Sequence, residues 1–272
     1  MGISVVTWTL GISEPKAVVG RAAALGLDGI QYAGDHRDAD PADLRAEVEK
    51  AGMQLIAIDP INAGPGEPGR ASSEAAIEYY RAVIDFAVAA GGVPVTLHGL
   101  SLWTTNCASR RSARERLVEC CRATVAYARE QGIQTLYEVC NHYEVPLIHT
   151  ADACHELIDE VGSGNMRMIL DSFHMNINER DPITTLRKYA RSTAIYHISD
   201  SGRGGIDSGH IDFQAQYQAL KAAGFTGEVA IEPVLSHLTP STAPSTDSDH
   251  RALDQEIVRS ARQWRSFASM ER

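Results

Sequence analysis

The chain has 272 residues, enough for one large α/β barrel or for two smaller domains, each around a substantial core. Hydrophobic residues make up 44% and charged residues 22%, an ordinary globular composition. A net charge of −10 argues against a phosphate-backbone binder, which needs a basic face, and no uninterrupted apolar run reaches membrane-spanning length.

Ile3 to Trp8 reads as a short buried strand, and Pro15 to Leu25 as an Ala-rich helix stopped by Gly26. Leu27 to Tyr32 is a second strand. Pro41 to Ala51 is a second helix, with Asp40 as N-cap and Gly52 as its stop. Met53 to Asp59 is a third strand, and Pro60 to Ser72, rich in Gly, Pro and Asn, reads as an exposed loop. Ser73 to Ala90 is helix again, followed by a fourth strand from Val93 to His98. A loop holding Trp103 and Asn106 leads into a long helix from Ser109 to Gln131.

The fifth strand, from Ile133, ends at Glu138, and its loop carries Asn141, His142 and Glu144. Helix Ala151 to Val161 precedes a sixth strand, Met166 to Asp171. A polar loop with His174 and Asn176 then runs to Pro182, which starts a helix to Ala190. Strand Thr193 to Ile198, a glycine-rich loop from Ser201 to Gly209 and a helix from Asp212 to Ala223 follow. The last strand, from Gly227, ends at Glu232. A Ser/Thr/Pro stretch over 236–248 precedes a final helix to Phe267.

The five cysteines are odd in number and form no C-x-x-C pair, which points to a reduced thiol set and a cytoplasmic setting. The N-terminus enters a strand at once, without the basic and apolar regions of a signal peptide. Val6 stands where a myristoylation signal would need Ser or Thr.

Eight strands alternating with eight helices are the arithmetic of a (β/α)8 TIM barrel in a single domain spanning 1–272. A doubly wound open sheet would show a Gly-x-Gly-x-x-Gly turn after the first strand, which Leu10-Gly-Ile-Ser-Glu does not supply. Side chains alternate across a strand, so Asp171 shares a face with Ile169, and Glu232 with Ala230. Leu170, Met168, Ile231 and Val229 then face an outer helix layer. The polar ends point inward at the C-terminal rim, where barrels carry their chemistry.

Glu138, Asp171, His197 and Glu232 close four successive strands, 33, 26 and 35 residues apart, each about one βα unit. Two glutamates, an aspartate and a histidine form a hard, oxygen-rich ligand set that suits Mn²⁺, Mg²⁺ or Co²⁺ better than a thiolate zinc site. Without a cation, three carboxylates in one pocket would force one to hold a proton. Taken singly, each could instead cap its strand end in an ion pair. His98 is either a fifth ligand or a hydrogen-bonded rim histidine. Glu144 and His174, on loops beyond ligand strands, read as substrate contacts; Arg203, among its glycines, is either a clamp for an anionic or polyhydroxyl substrate or a solvated loop arginine. Trp8, Tyr32 and Trp103 fall on the same rim, as aromatic walls for a sugar or as caps on the core.

Asp171-Ser-Phe-His-Met-Asn-Ile resembles the D-[TS]-F-H-M-N-I signature of the D-tagatose/D-allulose (ketose) 3-epimerase family, within the xylose-isomerase-like barrel superfamily. Glu138-Val-Cys-Asn-His-Tyr-Glu144 is similar to that family's E-V-x-N-R-x-E. Tyr196-His197, Arg203, Gly209-His-Ile-Asp and Ile231-Glu232-Pro233 resemble its last two strands and their loop. The likeness is specific from about 133 to 235 and general before that. It implies metal ligation by Glu138, Asp171, His197 and Glu232, with Glu144, His174 and Arg203 on the carbonyl end of a sugar. It also implies a homodimer or homotetramer. His142 replaces the family's usual Arg, and Gln31-Tyr32 stands where its second strand commonly ends in glutamate, so the departures bear on the substrate.

The expected function is therefore metal-dependent epimerisation of a ketose at C3 through a cis-enediolate, with Glu138 and Glu232 as acid and base on opposite faces. The same machinery placed beside C1 would give aldose–ketose isomerisation. A leaving group one carbon further on would give an inosose dehydratase-like elimination. The apurinic endonucleases share this barrel and carry extra ligands that His98, His174 and Asp207-x-x-His210 partly match. Asp59, however, is the only metal-binding residue type at the third strand's end, and the charge is wrong for DNA. A binding barrel without catalysis would need no second carboxylate base.

Overall fold

In the computed structural model, which describes residues 2–269, eight parallel strands close into a barrel in the order β1 to β8, each hydrogen-bonded to the next and β8 to β1. The strands are β1 (Ile3–Val6), β2 (Gly29–Gly34), β3 (Gln54–Pro60), β4 (Val95–Thr96), β5 (Thr135–Glu138), β6 (Met166–Asp171), β7 (Thr193–Ile198) and β8 (Glu228–Ile231). The helices are α1 (Pro15–Ala24), α2 (Pro41–Lys50), α3 (Ser73–Ala89), α4 (Arg110–Glu130), α5 (Ala151–Val161), α6 (Ser172–Asn178), α7 (Pro182–Tyr189), α8 (Phe213–Ala222) and α9 (Asp247–Phe267). The single (β/α)8 barrel read from the sequence is the fold.

Helix starts are written locally. Asp40, Ser72, Thr150, Asp181 and Asp212 each accept a hydrogen bond from a backbone N–H of the first turn, and Pro15, Pro41 and Pro182 open α1, α2 and α7. Ser109 with Ser112, and Thr246 with Asp249, form reciprocal caps on the two longest helices. Gly162 ends α5 in the left-handed region at φ 71°, where a side chain would be strained.

The alternation along the strands separates two cores. Val6, Ile56, Leu136, Ile169, Ile195 and Ala230 fill the barrel interior, while Met168, Leu170, Val229 and Ile231 pack outward against the helices. Trp264 of α9 stacks on Tyr196 of β7 with ring centroids 5.5 Å apart, and it is buried. The interior layer ends in carboxylates and histidine at the C-terminal rim, which lifts the polar cluster onto a packed floor.

Four local expectations differ. β1 stops at Val6, and Thr7–Leu10 turn into a 3-10 segment that carries Trp8 sideways over the rim. β4 is only two residues long, and His98–Thr104 form a second 3-10 segment where a strand end and a loop were expected. The stretch after Asp171 is not a loop: Asp171 accepts from His174 N at 2.9 Å and caps the short helix α6. β8 ends at Ile231, so Glu232 stands one residue past it, held by Glu232 N donating to Ile198 O at 2.9 Å.

Candidate metal centre and active site

Glu138, Asp171, His197 and Glu232 are all buried, and one ligand atom from each lies within 4.8 Å of the others. Parallel pairing sets this convergence: Asp171 lies beside His197 and His197 beside Ala230, while Glu138 lies beside Ile169, one inward position below Asp171. His197 Nδ1 is 3.2 Å from Glu138 Oε1, 3.4 Å from Glu232 Oε2 and 4.0 Å from Asp171 Oδ2.

The other nitrogen of His197 has a fixed partner. Nε2 lies 2.9 Å from Gln31 Oε1, an amide oxygen that only accepts, so Nε2 donates to it and Nδ1 is the nitrogen that faces the carboxylates, where a proton or a cation can sit. His174 has the opposite arrangement. Asn141 Nδ2 donates to its Nδ1 at 2.8 Å, which leaves the proton on Nε2, 3.8 Å from Glu138 Oε1.

The electrostatics follow from crowding. Burial pushes the Asp171 carboxyl up to about 6, and the charges of Glu232 and Glu138 add to it against the nearby histidines. Burial also opposes ionisation of Glu138 and Glu232, but the His197 imidazole beside them outweighs it and holds both below the usual carboxylate range. His197 loses hydration by burial, yet Glu138 and Glu232 hold its imidazole well above the ordinary value. Asp171 Oδ2 and Glu232 Oε2 are buried without a hydrogen-bond partner. Unpaired oxygens of this kind are costly unless a cation completes them, and the donor set fits a hard divalent ion.

Around the cluster opens a cavity of about 330 Å³ lined by Trp8, Asp59, His98, Glu144, His174 and Arg203 together with Glu138 and Glu232. Trp8 Nε1 donates to Glu232 Oε1 at 2.6 Å. Arg203 donates to Glu144 and lies over the Phe173 and Trp8 rings, 4.9 and 5.6 Å from their centroids. Its φ of 66° needs support, and Val234 N donates to Arg203 O at 2.6 Å. Gly209 in the same loop is required for space: a Cβ there would fall 2.2 Å from Ser201 Oγ. His98 is three-quarters buried, with Nδ1 3.6 Å from Glu138 Oε2.

Some expected contacts are not brought here. Trp103 is buried in the outer core, where Nε1 donates to Ala63 O and its ring lies against Tyr79, so it supports the cavity wall from behind. Leu102, its neighbour, is the residue that reaches the cavity. Tyr32 points outward, stacks on Phe86 and donates to Ser13 O at 2.8 Å. Asp207 and His210 are exposed on the loop, with the His210 ring on Ser201 Oγ, and do not join the cluster.

Two residues given no site role gain one. Asn141 links His174 to Glu144 through Nδ2, 2.9 Å from Glu144 Oε1, and Gln31 orients His197. Gln31 was legible only as a departure from the family pattern at the end of the second strand; its partner is 166 residues away.

An eight-stranded parallel barrel with this cluster at its rim defines a TIM-barrel protein with a buried group of two glutamates, an aspartate and a histidine that could hold a metal ion. The chain belongs to the xylose isomerase-like TIM barrel family, whose model matches residues 19–256. It is 26% identical over 281 residues to the L-ribulose 3-epimerase of Mesorhizobium japonicum, covering 99% of this chain and 93% of that one. It is 29% identical over 215 residues to the ketose 3-epimerase of Arthrobacter globiformis, 78% of this chain and 64% of that one. The D-psicose 3-epimerase of Clostridium cellulolyticum, solved with D-tagatose, matches 98% of this chain and 99% of its own with a TM-score of 0.81. At 20% identity, that likeness is one of fold.

Proposed function

We propose that the protein epimerises a free ketose at C3 with a bound divalent ion, Mn²⁺ first and Co²⁺ or Mg²⁺ as alternatives. One observation carries this. Glu138 and Glu232 each divide their two oxygens: one faces the cluster, the other faces a separate neighbour. Glu138 Oε1 lies by His197 and Oε2 by His98; Glu232 Oε2 lies by His197 and Oε1 accepts from Trp8. A carboxylate so divided can hold an ion with one oxygen and move a proton with the other.

Glu138, Asp171, His197 and Glu232 are the residues that would hold the ion. When bound, it supplies Lewis acidity that polarises a C2 carbonyl and lowers the cost of removing the C3 proton. Glu138, on β5, and Glu232, after β8, approach from different sides of the rim. One takes the proton from C3, leaving a cis-enediolate, and the other returns a proton to the opposite face. Arg203, oriented by Glu144 and the two aromatic rings, and His174, through Nε2–H, hold the substrate's oxygens around C1 and C2. The pocket's carboxylates suit a small neutral sugar and disfavour a nucleic acid.

A cytoplasmic setting agrees with five unpaired cysteines, and among the described residues no helix is long and apolar enough to cross a membrane. A homodimer or homotetramer completes the proposal and is checked by light scattering. The function is tested by incubating the Mn²⁺-loaded protein with a panel of ketoses in D₂O and following the products by NMR. Deuterium at C3 with inversion supports epimerisation. Deuterium at C1 or C2 alone, or loss of water, would replace it by isomerisation or elimination.

A further inference from the structure

The ring of strand ends has two halves. β5 to β8 carry the ion cluster, whereas the cavity continues over β3 and β4, where Asp59, Pro60, Asn62, His98, Gly99 and Leu102 line it. A sugar with its carbonyl end on β5 to β8 has only this half in which to lay its remaining carbons.

Asp59 is the one carboxylate in this half of the cavity. It ends the inward face of β3 and is largely buried, at 8% exposure. Thr96 of the adjacent β4 donates to its Oδ1, which fixes the side chain where it lines the cavity. Among the described residues no lysine or arginine pairs with it; the neighbouring His98 imidazole attracts its charge, while the charges of Glu138 and Glu232 repel it. A buried carboxylate without a cation is costly, and an apolar residue would fill the site more cheaply. A structural role for Thr96 does not require it, because a threonine hydroxyl can donate to a backbone carbonyl.

Resting on the ketose reading above, we infer that Asp59 is a specificity-determining residue that takes a hydrogen bond from one hydroxyl on the C4–C6 part of the substrate. Its oriented oxygen accepts a hydrogen bond from the hydroxyl, and a substrate lacking that hydroxyl leaves the oxygen without that partner once the sugar covers it. A site built to bond a hydroxyl rejects the analogue without it far more strongly than an apolar pocket rejects a change of one methylene.

The test compares Mn²⁺-loaded wild type, Asp59→Asn and Asp59→Ala against the best ketose of the panel and its 4-deoxy, 5-deoxy and 6-deoxy forms. Binding is measured by calorimetry and turnover by C3 exchange. Wild type is expected to lose about 100-fold or more in affinity or kcat/KM on one deoxy ketose. Asp59→Ala is expected to lose a similar factor on the parent and nothing further on that same deoxy ketose. Equal losses by Asp59→Ala on all four sugars, or none on any, would overturn the inference, as would failure of the wild type to bind any of them. Binding that obeys the cycle while no C3 exchange occurs would sustain Asp59 and reject the epimerase reading. C3 epimerisation untouched in both variants would do the reverse.

Discussion

Replacing Asp171 by asparagine is expected to stabilise the ion-free protein and to remove most of the stabilisation a divalent ion gives. The carboxyl is fully buried and stands at about 6 against an ordinary 3.8, through burial first and then the Glu232 and Glu138 charges. That displacement corresponds to a folded-state penalty of about 3 kcal/mol at neutral pH. Its folded value lies above the unfolded one, so the penalty is complete above about pH 6 and vanishes as pH falls toward 4. Asparagine removes the charge but keeps Oδ1, which accepts from His174 N at 2.9 Å, so the cap on α6 survives.

In EDTA at pH 7 the variant should therefore melt about 6–12 °C above wild type, at roughly 2–4 °C per kcal/mol. The gap should close as pH is lowered from 8 to 4. Added Mn²⁺ should reverse the order, since an ion at 1,000 times its Kd adds about 4 kcal/mol to wild type and far less to a variant missing one carboxylate. Thermal unfolding with and without the ion checks all three. An ion-free variant less stable than wild type at pH 7, or a gap constant from pH 8 to 4, would refute the electrostatic account of the cluster.

Gln31→Leu removes the acceptor for His197 Nε2, 2.9 Å away, and should weaken Mn²⁺ binding by roughly 10–100-fold in calorimetry while the fold persists. Glu144→Gln breaks the ion pair with Arg203 at the cavity mouth. It should lower kcat/KM at least tenfold while metal content measured by elemental analysis stays near that of wild type. Loss of the ion in that variant would place Glu144 in the metal's own ligand set.

The eight alternating βα units, the cap at Asp40 and the inward set ending at Glu138, Asp171, His197 and Glu232 were legible because each is a local signal. Alternation, capping chemistry and one-unit spacing are all read along the chain. What stayed hidden depends on partners far away. Trp103 was expected at the rim as an aromatic after a strand, but the 3-10 turn over His98–Thr104 swings its ring into the outer core and onto Ala63 O. α6 was read as a loop because Ser, His and Asn are weak helix formers; Asp171 caps the segment and Met175 is buried beneath it. The role of Gln31 depends on closing β2 and β7 into one barrel, which no spacing of residues near Gln31 reports.

The central claim is that two glutamates act on opposite faces of one carbon, and the most direct measurement is C3 proton exchange in Glu138→Gln and Glu232→Gln. Glutamine keeps the shape and one oxygen donor but removes the base. Each variant, shown by elemental analysis to hold Mn²⁺, is incubated in D₂O with each of the two C3 epimers separately and followed by NMR. Both should lose epimerisation almost completely, and each should still exchange the C3 proton of one epimer only, a different one in the two variants. If either variant retains the ion and epimerises at near the wild-type rate, the two-base assignment is wrong, and a one-base isomerase becomes the better account of the barrel.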